Sequence, residues 1–401
     1  MPNSNNCLNS QILPGMNSYL KADEIKLVHS GHNYFEILTE LIENCKETLH
    51  LQTYIFDLDE IGKSIISVLK KAAARNVKVY ILVDAFGSNS FPSETIKELN
   101  QCGVHFRLFS PLFSSESIYF GRRLHHKIGV ADKKTALIGG INIAEKYYGR
   151  AISSSAWLDY AILIEGDVCE YLHLLCEQFF FKRRFSGIKR WERKTSREIN
   201  VADPKLIRFR RNDWIKRKNE IYKSYIEAIR KAEKSIIIVA SYFLPGYRLR
   251  KLLRAAARRS VDIKIIVAGK SDVGSVRLVE LYLYDFYLKN NIQIYEWTNS
   301  VMHGKAMVVD NKWTTIGSYN LNYLSRYISI ELNADVVDQE FLDDFSKHLN
   351  NIIKQHCIEV DYENNNKKNG AFMKLKMLLA YWFYKILKEF VLLGNESRNR
   401  K

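Results

Sequence analysis

The sequence predicts an α/β fold built from two similar halves. The first observation is an internal repeat: Leu69–Ser88 and Leu253–Asp272 both read as the end of an Ala-rich amphipathic helix, a basic turn and a buried strand. The second is that strand-like runs precede and follow each copy, so that strands and helices alternate. Alternation of this kind is typical of α/β architecture with layered sheets.

The elements fall in the same order in both halves. A strand-like run precedes the repeated unit at Thr48–Phe56 and at Ser235–Phe243, and a second run follows it at Gly103–Phe109 and at Asn291–Trp297. We therefore place the first half at residues 1–200, the second at 201–361 and a C-terminal tail at 362–401. The halves are joined across the basic, Pro-containing stretch 183–205.

A third matching pair carries the chemistry. Residues 124–142 align without gaps with residues 302–320, and His126 falls on Gly304, so we expect no role for His126. The polar and glycine positions that agree are His125 with His303, Lys127 with Lys305, Asp132 with Asp310, Gly139 with Gly317, and Asn142 with Asn320.

The repeated residues predict a phosphate site. Side chains alternate along a strand, so the His and Lys of each H-x-K stretch share one face. If the halves pack about a pseudo-twofold axis, two histidines, two lysines and two asparagines meet in one cationic cleft. One imidazole can attack phosphorus while the other protonates the leaving oxygen. The six cysteines are scattered and show no metal-ligand spacing, so we expect no metal and no other cofactor.

These motifs resemble the duplicated HKD motif of the phospholipase D superfamily. The resemblance extends over about residues 25–357 and is greatest to bacterial cardiolipin synthases of the short type without N-terminal membrane spans, cardiolipin synthase B. It implies two α/β/α halves with mixed sheets, related by a pseudo-twofold axis, and an active site at their interface. A single chain then suffices for the site.

The resemblance also implies the reaction. Phosphatidylglycerol gives its phosphatidyl group to an enzyme histidine, glycerol leaves, and a second phosphatidylglycerol takes the group to form cardiolipin. By the same resemblance His125 is the nucleophile, His303 the acid/base, and a carboxylate of the opposite half supports each histidine, Glu331 for His125 and Asp159 for His303. The expected phosphate-binding residues are Lys127, Lys305, Asn142, Asn320 and Ser318, while Asp132 and Asp310 are expected to hold the turns at strand ends.

The charge and the tail predict where this chemistry takes place. Sixty Lys and Arg against forty-four Asp and Glu give a formal charge of +16, which favours an anionic partner. The stretch Ala371–Gly394 is apolar but carries four lysines, so it is a poor spanning segment and a candidate interfacial helix, unless it packs on the protein core. Basic runs at residues 181–194 and 207–218 are further candidates for lipid contact. An aromatic insertion at Arg107–Leu124 is another, unless it covers the site as a lid.

The expected location is therefore the cytoplasmic face of the bacterial cell membrane, bound peripherally to anionic phospholipid. The N-terminus has no signal-peptide pattern, and the scattered cysteines fit a reducing compartment. Three alternatives stay open at this point: a phospholipase that transfers to water, a nuclease of the same superfamily, and a noncatalytic membrane-surface adaptor. The apolar tail and the aromatic insertion argue against nucleic acid as the partner.

Overall fold

The computed structural model describes residues 19–89, 91–111, 113–114, 117–118, 122–149, 155–182, 205–270, 273–362 and 370–398. The predicted boundary after residue 200, most of the basic run 181–194 and most side chains of the aromatic insertion lie outside these residues. The division at residue 200 therefore stays a prediction.

The strands and helices follow one another in the predicted alternation. The strands are β1 (Leu20–Lys21), β2 (Glu24–His29), β3 (Thr48–Thr53), β4 (Lys78–Asp84), β5 (Val104–Phe109), β6 (Phe113–Ser114), β7 (Ser117–Ile118), β8 (Arg123–Leu124), β9 (Lys127–Ala131), β10 (Thr135–Gly139), β11 (Tyr160–Glu165), β12 (Leu206–Asp213), β13 (Lys218–Asn219), β14 (Ser235–Ala240), β15 (Asp262–Ala268), β16 (Gln293–Trp297), β17 (Lys305–Val309), β18 (Trp313–Gly317), β19 (Ser329–Val337) and β20 (Cys357–Glu359). The helices are α1 (His32–Asn44), α2 (Glu60–Ala74), α3 (Ser93–Gln101), α4 (Glu145–Tyr148), α5 (Cys169–Phe181), α6 (Glu220–Lys231), α7 (Tyr247–Arg258), α8 (Gly274–Leu288), α9 (Tyr323–Tyr327), α10 (Gln339–His356) and α11 (Ala371–Arg398).

Two sheets share one strand order. The first sheet runs β2-β11-β10-β9-β3-β4-β5, and the second contains the same order as β12-β19-β18-β17-β14-β15-β16. In both, the pairings before the central strand β3 or β14 are antiparallel and those after it are parallel. The predicted α/β class with two related halves and mixed sheets is confirmed.

The core has one layer that belongs to both halves. The inner faces of the two sheets, represented by Ile128, Ile162, Val308 and Leu332, bury their side chains in a single apolar cluster, and helices α5 and α10 contribute to it. A separate cluster fills the outer side of each sheet. The strands are apolar on both faces because each sheet is covered on both sides.

Two short strands cross from one half to the other. Strand β1 pairs with β12 at the edge of the second sheet, although it precedes the whole first half in the chain. Tyr19 beside it is buried, and its hydroxyl accepts a hydrogen bond from the Trp313 indole at 3.0 Å. Strand β8 pairs in parallel with β19. The halves are thereby interlocked.

The C-terminal helix α11 packs one narrow stripe on the second half. Met377 is buried, the Tyr381 ring stacks on Tyr282 with centroids 4.5 Å apart, and Arg250 donates to the Tyr381 hydroxyl at 3.3 Å. The opposite face is apolar and exposed. In the part of the chain that the structure describes, no helix is both long and apolar enough to cross a membrane.

The basic run at residues 207–218 lies partly in the protein interior. Arg208 and Arg211 are buried, and the Arg208 guanidinium forms an ion pair with Asp335 at 2.7 Å. The expectation that this whole run attracts anionic lipid is wrong for these two side chains, because they point into the fold along β12. Its exposed cations are Lys216 and Arg217.

Candidate functional site

The cross-strand pairing places each motif histidine against a carboxylate of the other half. The backbone N–H of His125 donates to the carbonyl of Ile330 at 2.9 Å, and that of His303 donates to the carbonyl of Leu158 at 2.7 Å. Ile330 precedes Glu331, and Leu158 precedes Asp159. The pseudo-twofold arrangement therefore brings both histidines to the interface of the halves.

The first histidine is oriented by a buried carboxylate. Nδ1 of His125 lies 2.9 Å from Oε2 of Glu331, whose side chain is fully buried. The Tyr54 ring lies against the imidazole with centroids 4.8 Å apart. Burial lowers the pKa of His125, against the opposing effect of Glu331. With its Nδ1 proton donated to Glu331, the neutral imidazole has its lone pair on Nε2.

The second histidine has the equivalent partner. Nδ1 of His303 lies 2.7 Å from Oδ2 of Asp159 and 3.3 Å from the Tyr147 hydroxyl. Burial and the positive charges of Lys305 and Lys127 hold the pKa of His303 well below its usual range. Burial also raises the pKa of the Asp159 carboxyl to about 6.

The two lysines lie beside the histidines and are also buried. Lys127 Nζ donates to the carbonyl oxygen of His125 at 2.6 Å, and Lys305 Nζ donates to that of His303 and lies 2.8 Å from its Nδ1. Burial lowers the pKa of Lys127 to about 7. Each lysine also lowers the pKa of the other half's histidine, so the two motifs act on one electrostatic environment.

The motif aspartates lie at the opposite ends of the H-x-K strands. The Asp132 carboxylate accepts hydrogen bonds from the backbone N–H groups of Lys46, Glu47 and Thr48 at 2.8–2.9 Å. Asp310 accepts from three consecutive N–H groups of the second half in the same way, those of Glu233, Lys234 and Ser235. These contacts hold the start of each central strand, β3 or β14.

The expected phosphate-binding amides are engaged inside the protein. The Asn142 oxygen accepts from the Ile55 N–H at 3.1 Å, and its NH₂ donates to the Tyr147 hydroxyl at 2.9 Å. The Asn320 oxygen accepts from the Ser241 hydroxyl at 2.8 Å. The phosphate-binding role of these amides stays a prediction.

Ser318, also an expected phosphate ligand, is turned toward a carboxylate. Its buried hydroxyl donates to Oε2 of Glu331 at 2.5 Å. Gly140 occupies the matching position of the first half, and a Cβ there would lie 2.3 Å from Oδ1 of Asp159. The residue at this position therefore differs between the halves together with the carboxylate that it faces. Ser318 faces the longer Glu331, whereas Gly140 faces the shorter Asp159.

His126 has a structural environment. It is buried, its Nε2 lies 2.8 Å from the Gln52 side-chain oxygen, and burial lowers its pKa to about 3. A Cβ at its counterpart Gly304 would lie 3.0 Å from the Tyr160 ring, so a side chain there would require this ring to shift.

Three aromatic residues around the histidines were missed by sequence reasoning. Tyr54 faces His125, while Tyr147 and Trp157 lie at centroid distances of 5.4 and 6.0 Å from His303. They stand at positions where the repeat does not match, so the alignment of the halves carried no signal for them.

Comparisons with known proteins agree with this geometry. The family model described as "Cardiolipin synthase, PLD-like domain" matches residues 38–161 and 225–353. Cardiolipin synthase B of Escherichia coli (strain K12) is 32% identical over 91% of this chain and 89% of its own length. Cardiolipin synthase 1 of Bacillus anthracis is 27% identical over 87% of this chain and 71% of its own length.

A solved structure shows the same fold. Phosphatidylserine synthase of Haemophilus influenzae Rd KW20 superposes with a TM-score of 0.73 at 15% identity, covering 92% of this chain and 95% of its own. The family resemblance predicted from the HKD motifs is confirmed. This chain belongs to the cardiolipin synthase family of phospholipase D-like enzymes.

Proposed function

We propose that this enzyme makes cardiolipin from two phosphatidylglycerol molecules and releases glycerol, through a covalent bond to His125. The observation that carries the proposal is the pair of histidines, each held by a carboxylate of the opposite half, with two buried lysines beside them. A two-step displacement at phosphorus needs a nucleophile, an acid/base and positive charge near the phosphoryl oxygens.

In the first step Nε2 of His125 attacks phosphorus and the P–O bond to the glycerol leaving group breaks. The family resemblance assigns the nucleophile to His125, whose Nδ1 contact with Glu331 leaves the Nε2 lone pair for the attack. His303 gives its proton to the leaving glycerol oxygen. In the second step His303 takes the proton of the acceptor's glycerol hydroxyl, whose oxygen displaces His125 from phosphorus.

The low pKa of His303 fits a role as acid only when lipid is bound. Lys305 and Lys127 lower that pKa. A phosphodiester anion between the lysines offsets their charge, so the pKa of His303 rises on binding. Asp159 then supports the imidazolium.

The direct test is the lipid product formed by purified protein on phosphatidylglycerol vesicles, measured by mass spectrometry. Cardiolipin together with free glycerol is the expected result. Phosphatidic acid without cardiolipin would identify a hydrolase, and no lipid turnover would direct the next assay to DNA.

The pH dependence follows from Lys127 and His125. Lys127 has a pKa of about 7 in the free enzyme, so its ammonium loses its proton and its charge as pH rises through 7. The pKa of His125 is lowered, so its imidazole is already neutral, as a nucleophile must be, at pH 7. We expect the affinity of His125→Ala protein for soluble short-chain phosphatidylglycerol, measured as a dissociation constant, to fall as pH rises above about 7, because the ammonium charge that attracts the phosphodiester is lost.

A Lys127→Arg variant tests this assignment, since a guanidinium stays charged throughout the range. In the His125→Ala background the variant is expected to lose the decline in affinity near pH 7. An unchanged decline in a folded variant would assign the loss of affinity to another group.

We also propose that α11 binds the bilayer surface, on the cytoplasmic face. Its outward face carries Phe372, Leu375, Leu379, Trp382, Phe383 and Ile386, all more than half exposed. Contiguous apolar exposure of this kind is rare on a soluble monomer. Lys374 and Lys385 lie between this face and the packed stripe, at a groove of about 590 Å³ that Arg250 and Lys289 also line. Cations at the border of an apolar face that lies in the bilayer surface are at the level of the anionic headgroups.

Replacing Leu379 and Phe383 together by glutamate is expected to weaken binding to phosphatidylglycerol vesicles at least about tenfold, since each buried large side chain contributes about 1.5–3 kcal/mol. Vesicle sedimentation measures it. Ile358→Glu, at an equally exposed position on β20, is the matched control. Turnover of soluble short-chain substrate should not change. Undiminished sedimentation of the double variant would exclude α11 as the membrane contact.

A further inference from the structure

We propose that His50, His173 and Glu177 form a binding site for a divalent transition metal ion, best suited to Zn²⁺, outside the active site. His50 lies on β3, the central strand of the first sheet, and His173 and Glu177 lie one turn apart on α5, which packs over it. One ligand atom from each of the three residues lies within 4.8 Å of the other two.

The burial and hydrogen bonding of the imidazoles point to a missing ligand. His50 has no exposed surface and His173 only 3%. Neither ring nitrogen of His50 has a hydrogen-bond partner in the described part of the chain, and Nδ1 of His173 has none there either. Buried polar atoms are normally satisfied, so orphaned imidazole nitrogens on two facing rings require an explanation. The rings meet at 78° with centroids 4.8 Å apart.

The ligand set is that of zinc. Two imidazoles and a carboxylate, with a fourth position left for water, make a tetrahedral site. Bonds of about 2.0–2.1 Å in that geometry separate neighbouring ligand atoms by about 3.3–3.4 Å. Nε2 of His173 lies 3.7 Å from Oε1 of Glu177, so that edge is nearly formed, and the longest separation is at most 4.8 Å, which exceeds the tetrahedral edge by about 1.4 Å. Glu177 is 36% exposed, which leaves a path for the ion and for water.

The position of the site suggests what the ion does. Gln52, two residues after His50, donates to the Cys176 carbonyl on α5 at 2.8 Å and holds His126 with its oxygen. A metal ion bound by His50 would connect β3 to α5 a second time, in the layer beside His125. We infer a structural role, in which the ion stabilises the packing of α5 on β3.

Metal binding to purified, tag-free, full-length protein tests the proposal. Metal is first removed with a chelator, and Zn²⁺ or Co²⁺ is then added back. One Zn²⁺ per chain is expected to remain bound through gel filtration, and Co²⁺ is expected to give the visible absorption of a four-coordinate nitrogen-ligated ion. Glu177→Gln should weaken binding at least about tenfold. Glu170→Gln, in the first turn of the same helix and outside the group, should bind like the wild type.

His50→Gln removes the buried ligand and is expected to abolish the cobalt absorption. If that variant fails to fold, Glu177→Gln decides, because its side chain lies partly in solvent. Undiminished zinc binding by folded Glu177→Gln protein would overturn the proposal.

Discussion

Replacing His125 by alanine is expected to lower cardiolipin formation by at least about 10³-fold and to abolish the covalent phosphatidyl-enzyme. The variant lacks the proposed nucleophile, and the remaining lysines can only bind phosphate. His303→Ala removes the proposed acid/base instead, a role worth about 10²–10⁴-fold. In the His303→Ala protein the attack of His125 on phosphorus is slow. Transfer to the second lipid also loses its base, so the covalent adduct is expected to accumulate.

Intact-protein mass spectrometry after alkaline denaturation measures the adduct, because a P–N bond to histidine is cleaved in acid. The expected pattern is an adduct on His125 in the His303→Ala protein and none in the His125→Ala protein. An adduct on His303 in the His125→Ala protein would reverse the assigned roles. Thermal unfolding of both variants checks that the fold is retained.

Gly140→Ser is expected to reduce activity about 10²-fold or more, although serine is the residue at the matching position 318. A Cβ at residue 140 falls 2.3 Å from the Asp159 carboxylate, which is held by the Tyr160 N–H and by His303. The carboxylate must move, and His303 then loses the contact that orients it. Ser318→Ala removes the hydroxyl that donates to Glu331 and accepts from the Leu332 N–H, but it crowds no carboxylate, so its effect should be smaller, about tenfold.

The double variant Gly140→Ser with Asp159→Glu tests the reason for the first effect. It reproduces in the first half the Ser and Glu combination of the second half. We expect it to be more active than Gly140→Ser alone, a non-additive result that shows direct coupling of the two positions. Equal activity of the single and double variants would mean that crowding at Asp159 is not the cause.

Much of the fold could be predicted because the two halves repeat the same order of strands and helices. The alternation of strands and helices and the gapless match of the H-x-K stretches identified the class and the pairing of halves. Strand β1 could not be predicted, since two residues carry no periodic signal and their partner β12 lies far along the chain. The buried arginines of β12 were misjudged because a basic run resembles an exposed one until its carboxylate partner Asp335 is known.

Part of the candidate site could likewise be predicted from the sequence, and part could not. His125, Lys127 and their counterparts follow from the repeat, and the carboxylates from family resemblance. The contact of Ser318 with Glu331 and the crowding at Gly140 depend on atomic distances across a strand pair. The His50, His173 and Glu177 group joins a strand to a distant helix, so no spacing in the sequence marks it.

The strand exchange between the halves also orders events during synthesis. Glu331 is 206 positions after His125 in the chain, so the imidazole is synthesised long before the carboxylate that orients it. Strand β1 is synthesised before the rest of the first half and has no sheet to join until β12 is made. A translation product that stops before residue 331 therefore lacks the buried carboxylate that holds His125.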